Sequence, residues 1–193
     1  MNVSLPSVLK SEQFQRASQF GESAVGRVRN ATIIVREFMK AGYPFGIALA
    51  AVVNARHESD LSNAAIGDSG ESVGLFQLYS RGAGAGMSVQ ERMDPYLNTR
   101  RIIGETKQYG SNLMSAYRGG ASLADLSLIF GRDIERPANK GVGRDNTARA
   151  LFPGLADIPA KRITLIGAMV PFIIAGTLGL GGIILLLVTL GRR

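Results

Sequence analysis

Apolar residues recur at helical spacing over much of the chain, and the pattern divides it into separate elements. After residue 30 one helical face carries the apolar residues Ile33, Ile34, Val35, Phe38 and Met39. Gly42 ends this predicted helix, and Pro44 suits the first turn of the next one. That second helix, 45–56, is apolar nearly all round. It is too short to cross a bilayer, so we expect it at the centre of a soluble core.

The pattern then changes to a polar, turn-rich stretch and back to helices. Residues 62–86 are rich in Gly, Ser, Asn and Asp, which predicts a short hairpin or irregular region. Asp94 and Pro95 suit the N-cap and first position of a helix running to about Tyr109. Further helices are expected near 112–117, 123–130 and 145–151. The predicted fold is therefore mainly α with a small β-hairpin region, over 31–153, preceded by an N-terminal helical arm (1–30).

The C-terminal segment has a different character. A linker with Pro159 is expected over 154–162, and 163–190 then contains no charged residue. As a helix these 28 residues would extend roughly 42 Å, enough to cross a bilayer with tilt. We therefore predict one transmembrane helix that contacts lipid. Ala175 and Gly179 form a small-residue pair suited to helix packing, through which the helix would self-associate or bind a protein partner.

Composition narrows the chemistry. The net charge of +7 favours polyanionic partners, but no zinc-finger pattern or basic-aromatic stripe indicates a specific nucleic acid. We interpret the arginine-rich stretch 132–149 as a solvated face, with wall phosphates or anionic lipid as the alternative contact. The chain has no cysteine and a single histidine, His57, which disfavours zinc hydrolases, and no Gly-x-Ser-x-Gly supports a serine triad. We expect carboxylate chemistry with no metal and no cofactor.

Glu58 is the candidate general acid. It lies at the predicted end of the apolar helix, where burial and the negative end of the helix dipole both raise the pKa of a carboxyl group. A raised pKa is what protonation of a glycosidic oxygen requires. The neighbouring Ser59 is expected to orient Glu58 by a hydrogen bond.

Three short motifs together resemble those of the lytic transglycosylases of the lysozyme superfamily, the soluble type related to goose-type lysozyme. They are Glu58-Ser59, then Gly74-Leu-Phe-Gln77, then Asp94-Pro95 with Asn98. The resemblance covers about 31–153 and implies a lysozyme-like helical domain that acts on peptidoglycan. Carried over, it implies that Glu58 is the catalytic acid/base, Ser59 its orienting partner, and Gln77, with Gly74 before it, a contact for the substrate or for Glu58.

The third motif of that family, Ala-Tyr-Asn before a glycine, is altered here. Ala116-Tyr117-Arg118-Gly119 lacks the asparagine. By spacing, 130–137 (Phe-Gly-Arg-Asp-Ile-Glu-Arg-Pro) is a second candidate for this place, and similar Glu-Arg-Pro segments occur in phage-encoded relatives. Tyr117 and Phe130 are therefore both candidates for the aromatic residue of the cleft.

The resemblance implies a one-carboxylate mechanism, in which the muramyl 6-hydroxyl attacks C1 and leaves an anhydro product. A hydrolase would ordinarily use a second carboxylate. Asp60, Asp68 and Glu71 are close enough in sequence to be considered, although turn capping and a solvated loop also account for them. Hydrolysis remains the alternative reaction.

The predicted location follows from the two ends of the chain. The N-terminus lacks the basic start and continuous apolar run of a signal peptide. With a membrane anchor behind it, a wall-cleaving domain fits a virion-associated phage entry enzyme; a bacterial inner-membrane protein is the alternative. Two other classes remain open: a non-catalytic virion or membrane-conduit protein whose domain binds glycan, and a membrane-permeabilising lysis protein.

Overall fold

The protein is mainly helical, with one small antiparallel sheet. The computed structural model describes residues 22–136 and 142–163, together with two short strands near the C-terminus. In chain order the helices of the domain are α1 Ala24–Lys40, α2 Phe45–Ser59, α3 Val89–Met93, α4 Pro95–Tyr109, α5 Ser111–Gly119, α6 Leu123–Phe130 and α7 Arg144–Leu151. A π-helical turn, Gly131–Glu135, continues α6, and a 3₁₀ turn, Ala160–Arg162, follows α7.

Helix α2 is the centre of the domain. Every residue from Gly46 to Ala55 is buried, and α1, α6 and α7 pack around the helix. Its lack of a polar face is thus explained, because each side meets another helix. The prediction that 45–56 forms a core helix is confirmed.

The predicted helix starts are also confirmed, and local capping explains them. The Asp94 carboxylate accepts hydrogen bonds from the backbone N–H groups of Tyr96 and Leu97, both at 2.9 Å, and Pro95 occupies the first helical position. Ser122 forms a capping box with Asp125 at the start of α6. The first turns of α4 and α6 are therefore held by their own sequence.

The polar region after α2 forms three two-residue strands rather than a simple hairpin. They are β1 Ile66–Gly67, β2 Ser72–Val73 and β3 Leu78–Tyr79, in the order β1-β2-β3. Both pairings are antiparallel, with Val73 opposite Ile66 on one side and Leu78 on the other. The sheet lies immediately after the C-terminal end of α2 in the chain and contributes to the wall of a cleft there.

Both predicted boundaries of the domain lie within packed structure. Helix α1 begins at Ala24, inside the predicted arm 1–30, and its Asn30 is buried; residues 1–21 lie outside the described residues. The predicted linker 154–162 packs against the core, with Ala156 and Ala160 buried. Its backbone pairs with the start of α6, since the Ala124 N–H donates to the Ala156 carbonyl at 2.8 Å. The folded domain therefore reaches Ile163, which is also buried.

Most of the predicted membrane helix, 163–190, lies outside the described residues. The structure describes Ile163 and two strands, β4 Pro171–Phe172 and β5 Ile184–Leu185, which pair antiparallel. These four residues are extended, whereas a continuous helix was expected; Pro171 has no N–H to donate and disfavours a helix interior. Within the described part of the chain, no helix combines the length and the hydrophobicity needed to cross a bilayer.

Candidate functional site

Glu58 occupies the last turn of α2, as predicted, and opens into a cleft. The helix ends when Asp60 adopts a left-handed conformation (φ 56°). The Glu58 side chain is 23% exposed, so one part of it lies in the core and the other in the cleft. Burial raises the pKa of Glu58; the Arg144 guanidinium lowers this pKa, and the Asp68 carboxylate raises it. The net shift is upward, in the direction that a general acid requires.

The cleft beside Glu58 has the size of an ordinary ligand-binding pocket. Its volume is about 660 Å³. It is lined by Glu58, Asp68, Ser72, Phe76, Gln77, Leu78, Tyr79, Gly82, Ala83, Ile102, Glu135 and Arg136. Polar and charged side chains thus share the cleft with two aromatic residues, Phe76 and Tyr79.

Gln77 lies in the same cleft as Glu58, and the structure shows what fixes it. Its backbone is left-handed (φ 43°). Its side-chain amide donates to the carbonyl oxygens of Gly74 at 3.0 Å and Ala65 at 3.2 Å. The amide therefore ties the loop between β2 and β3 to Ala65, the residue before β1. Both residues of the predicted pair, Glu58 and Gln77, are brought to one cavity.

Ser59 does not orient Glu58 as expected. Its hydroxyl lies 2.9 Å from the Ala55 carbonyl oxygen and 2.8 Å from the Leu75 carbonyl oxygen. The cause is helical geometry: consecutive side chains diverge by about 100°, so Ser59 faces the core while Glu58 faces the cleft. Ser59 instead ties the end of α2 to the loop that carries Gln77.

Gly74 has a structural part in the same loop. It adopts φ 86°, and a Cβ there would overlap the Arg92 carbonyl oxygen and the Asn98 amide. Asn98, fully buried, accepts from the Phe76 N–H at 3.2 Å and donates to the Arg92 carbonyl at 2.6 Å. The motif Gly74–Gln77 and the motif Asp94–Asn98 are therefore one packed unit that holds the loop. Gly74 supports Gln77 from outside the cleft lining.

Substitution Gly74→Ala should destabilise the domain. A left-handed alanine costs about 1–3 kcal/mol, and the contact with the Arg92 carbonyl adds to this. Chemical denaturation measures the change. The matched control is Gly104→Ala on α4, where the added methyl group meets no atom within 4 Å. That substitution should stabilise the helix by about 0.5–1 kcal/mol. Equal effects of the two substitutions would contradict this account of Gly74.

Arg144, the first residue of α7, lies behind Glu58 and is fully buried. Its Nη2 contacts Glu58 Oε1 and lies 2.8 Å from Glu135 Oε2. Its Nε donates to the Asn54 amide oxygen at 2.5 Å. Asn54 is itself held by the carbonyl groups of Ala50 and Ser127, at 2.8 and 3.1 Å. One guanidinium, positioned by a buried amide, therefore joins two carboxyl groups.

Sequence reasoning missed Glu135 and Arg144. Glu135 is contributed by the π-helical turn and its side chain is 5% exposed. Burial raises the pKa of Glu135 to about 8, against the opposing effect of Arg144. The only local signal was the Glu-Arg-Pro segment in the altered third motif. The arginine-rich stretch 132–149 is thus not uniformly solvated, since Arg144 is fully buried.

Neither predicted aromatic residue lines the cleft. Phe130 is fully buried, with its ring centroid 6.4 Å from Phe76 and 6.0 Å from Phe38. Tyr117 is half-buried on α5 and packs against the core. The lining aromatics are Phe76 and Tyr79. Phe130 belongs to the core because it ends α6, whose inner face packs on α2.

The other candidate groups, three carboxylates and His57, differ in whether they line the cleft. Asp68 lines the cleft and accepts a hydrogen bond from Ser72 at 2.5 Å. Asp60 pairs with Arg27 and Arg56, and Glu71 accepts from Ser80. His57 Nδ1 lies 2.9 Å from the Thr147 hydroxyl, in a smaller pocket of about 250 Å³.

The cleft thus combines a partly buried carboxyl group, a second buried one, and hydrogen-bonding groups on a rigid loop. Within 22–136 and 142–163, no three His, Asp or Glu side chains converge as a metal-binding set. The arrangement is suited to proton transfer in a groove. No protein-family model matches the chain, and neither curated proteins nor solved structures match it.

Proposed function

We propose that this protein is a peptidoglycan-cleaving lytic transglycosylase that acts on the β-1,4 bond between MurNAc and GlcNAc. The supporting observation is the position of Glu58: a carboxyl group with a raised pKa at the end of a buried helix, open to a cleft that also contains Gln77. The resemblance of the three sequence motifs to that family points to the same substrate. Glu58 is the acid/base of the proposal.

The proposed reaction uses Glu58 twice. As a carboxylic acid it donates its proton to the glycosidic oxygen, and the bond from C1 to that oxygen breaks. As a carboxylate it then removes the proton from the muramyl 6-hydroxyl, whose oxygen forms a new bond to C1. Glu58 ends the cycle protonated, and the product carries a 1,6-anhydro ring. Water is not consumed.

Hydrolysis is the competing reaction because the cleft holds further carboxyl groups. Asp68 lines the cleft and accepts a hydrogen bond from Ser72. Such a group could activate water opposite a protonated Glu58. The family resemblance favours transglycosylation, and the product distinguishes the two reactions.

A non-catalytic glycan-binding domain is the second candidate function, and one contact favours it. Arg144 donates to Glu58, and this contact stabilises the ionised carboxylate over the acid. A permanently ionised Glu58 would bind sugar hydroxyl groups without protonating a leaving oxygen. In that case the chain would be a virion or membrane-conduit component that holds the wall.

The proposed setting is phage genome entry. The domain would open the wall locally, while 163–190 anchors it in a virion membrane or in the host envelope; a bacterial inner-membrane protein is the alternative. The partners would be peptidoglycan strands, lipid, and virion proteins or further copies of the chain contacted through the anchor. Purified virions that lack this protein would contradict the entry role.

Product analysis tests the reaction. The full-length protein is incubated with purified peptidoglycan, and the soluble muropeptides are analysed by mass spectrometry. We expect anhydromuramyl ends, which are lighter than reducing ends by one water. Reducing ends would show that the reaction is hydrolysis and not transglycosylation. Sedimentation with the wall without release of muropeptides would favour the glycan-binding candidate.

A further inference from the structure

The feature behind this inference is a single guanidinium between two carboxyl groups. Arg144 Nη2 contacts Glu58 Oε1 and lies 2.8 Å from Glu135 Oε2. The arginine side chain is fully buried, and Asn54 fixes its Nε. Arg144 therefore cannot turn away from either carboxyl group without losing a buried hydrogen bond.

The charges of this cluster do not balance if both glutamates are ionised. One positive charge then faces two negative ones in a largely dry environment, where an uncompensated charge is costly. Asp68 adds further negative charge near Glu58, from the 3₁₀ turn Asp68–Gly70. On the α4 side of the π-helical turn, Glu105 is already paired with Arg136.

The remaining neighbours of Glu135 and Arg144 leave this imbalance in place. Asp133, on the same turn, is paired with Arg132. On α2, His57 lies near Arg144, and both burial and Arg144 lower the pKa of His57, which favours its neutral form. Among the described residues around Glu58 and Glu135, Arg144 is thus the cation that contacts both carboxyl groups and can neutralise one of them, and the other carboxyl group is favoured as the neutral acid.

The hydrogen bonds indicate where the proton is held. Glu135 Oε2 accepts from Arg144, whereas Oε1 is buried and forms no hydrogen bond within the described part of the chain. A buried carboxylate oxygen without a donor is a poor place for negative charge, which favours the neutral acid form of Glu135. Burial raises the pKa of Glu135 to about 8, in agreement with this assignment.

We propose that Glu58, Arg144 and Glu135 form one unit that holds a single shared proton near neutral pH, and that Glu135 is the positioning residue that keeps this proton available to Glu58. The inference rests on the proposed function, because it gives the proton a use. Two states have the same total charge: the proton on Glu135 with Glu58 ionised, or the reverse. Their ratio does not depend on pH, and both become rare only above the pH at which the pair loses its last proton.

The unit also accounts for catalysis beside an arginine. Arg144 by itself favours the ionised form of Glu58 and so reduces the fraction of acid, against the effect of burial. With Glu135 sharing Arg144, a fixed fraction of the molecules carries the proton on Glu58 up to the pH at which the pair ionises. A Glu135→Gln protein lacks this second carboxyl group, so Arg144 neutralises Glu58 alone, and Glu58 should lose its proton at lower pH.

The test compares full-length parent, Glu135→Gln and Asp133→Asn proteins. Asp133→Asn is the matched control, since Asp133 lies in the same π-helical turn but pairs with Arg132. The first measurement is a ¹³C-NMR titration of the glutamate carboxyl groups, assigned with Glu58→Gln and Glu135→Gln. The second is the rate of muropeptide release as a function of pH.

We expect the Glu58 titration, and the alkaline limb of the activity profile, to move to lower pH by about one to two units in Glu135→Gln. Asp133→Asn should leave both unchanged. A uniform loss of rate with an unmoved Glu58 titration would make Glu135 merely structural and overturn the proposal. Loss of both protons by the parent pair below neutral pH would also overturn it, without any variant. If the parent releases no muropeptides, the proposed function fails, and the NMR titration still decides whether the proton is shared.

Discussion

Glu58→Gln should reduce the release of muropeptides from peptidoglycan by a factor of about 10²–10⁴, which is the typical contribution of a general acid. Glutamine keeps the shape of the side chain and remains able to accept from Arg144. It has no proton to give to the glycosidic oxygen and cannot later accept one from the muramyl 6-hydroxyl. The initial rate of release, measured by chromatography of soluble muropeptides, gives the loss directly.

The control for this substitution is Asp157→Asn. Asp157 is 73% exposed, pairs with Arg149, and is not part of the cleft lining, so its loss should leave the rate at the parent value. The Glu58→Gln protein should still sediment with the wall, because Gln77 and the cleft aromatics remain. A Glu58→Gln protein as active as the parent would remove Glu58 from the mechanism and shift attention to Asp68.

Arg144→Met should have the largest effect on stability, a loss of about 3–5 kcal/mol in the free energy of unfolding at neutral pH and above. The substitution leaves the buried Glu135 and the partly buried Glu58 without the cation that both of them contact. Methionine fills much of the same space, so the loss reports charge more than packing. Chemical denaturation monitored by circular dichroism measures it.

The pH dependence of this loss identifies its cause. The pKa of Glu135 is raised to about 8, above the ordinary value of 4.5 that it has in the unfolded chain. Its contribution to stability is therefore complete below pH 4.5 and is lost as pH rises towards 8. Without Arg144 both carboxyl groups resist ionisation more strongly, so the deficit of Arg144→Met should be small at pH 4 and large at pH 8.

Arg149→Met is the matched control for Arg144→Met. Arg149 lies on the same helix, α7, and forms exposed ion pairs with Asp145 and Asp157. Exposed pairs contribute little to stability, so we expect a small change without this pH dependence. A deficit of Arg144→Met that stays constant between pH 4 and pH 8 would indicate lost packing instead of unpaired charge.

Much of the helical framework was predictable because interactions between residues close together in the sequence determine it. Asp94 and Pro95 specify the start of α4 through capping, and an apolar stretch with no polar face could only be a central helix, as α2 is. The sheet was less predictable. Its strands are two residues long and its turns depend on left-handed backbone at residues such as Asp68 and Gln77, which no local periodicity indicates.

The residues of the candidate site were likewise predictable only in part. Glu58 and Gln77 are separated by a short loop, and both line one cleft. Arg144 is 86 residues from Glu58, and its partner could not be inferred from an arginine-rich stretch whose other members face solvent. Ser59 was assigned by adjacency, which fails in a helix because neighbouring side chains point in different directions. Phe130 was assigned by motif spacing, although its place at the end of α6 directs it into the core.

The packing of the 3₁₀ turn Ala160–Arg162 sets the distance between the end of the described domain and the cleft. Ala160 packs against Gly46, in the first turn of α2, where a Cβ would lie only 2.7 Å from the Ala160 carbonyl oxygen. Glu58 is in the last turn of the same helix. Glu58 lies twelve positions after Gly46 along the helix, a rise of roughly 18 Å. The end of the described domain at Ile163 is thus held near the opposite end of α2 from Glu58, with α2 as a rigid spacer between them.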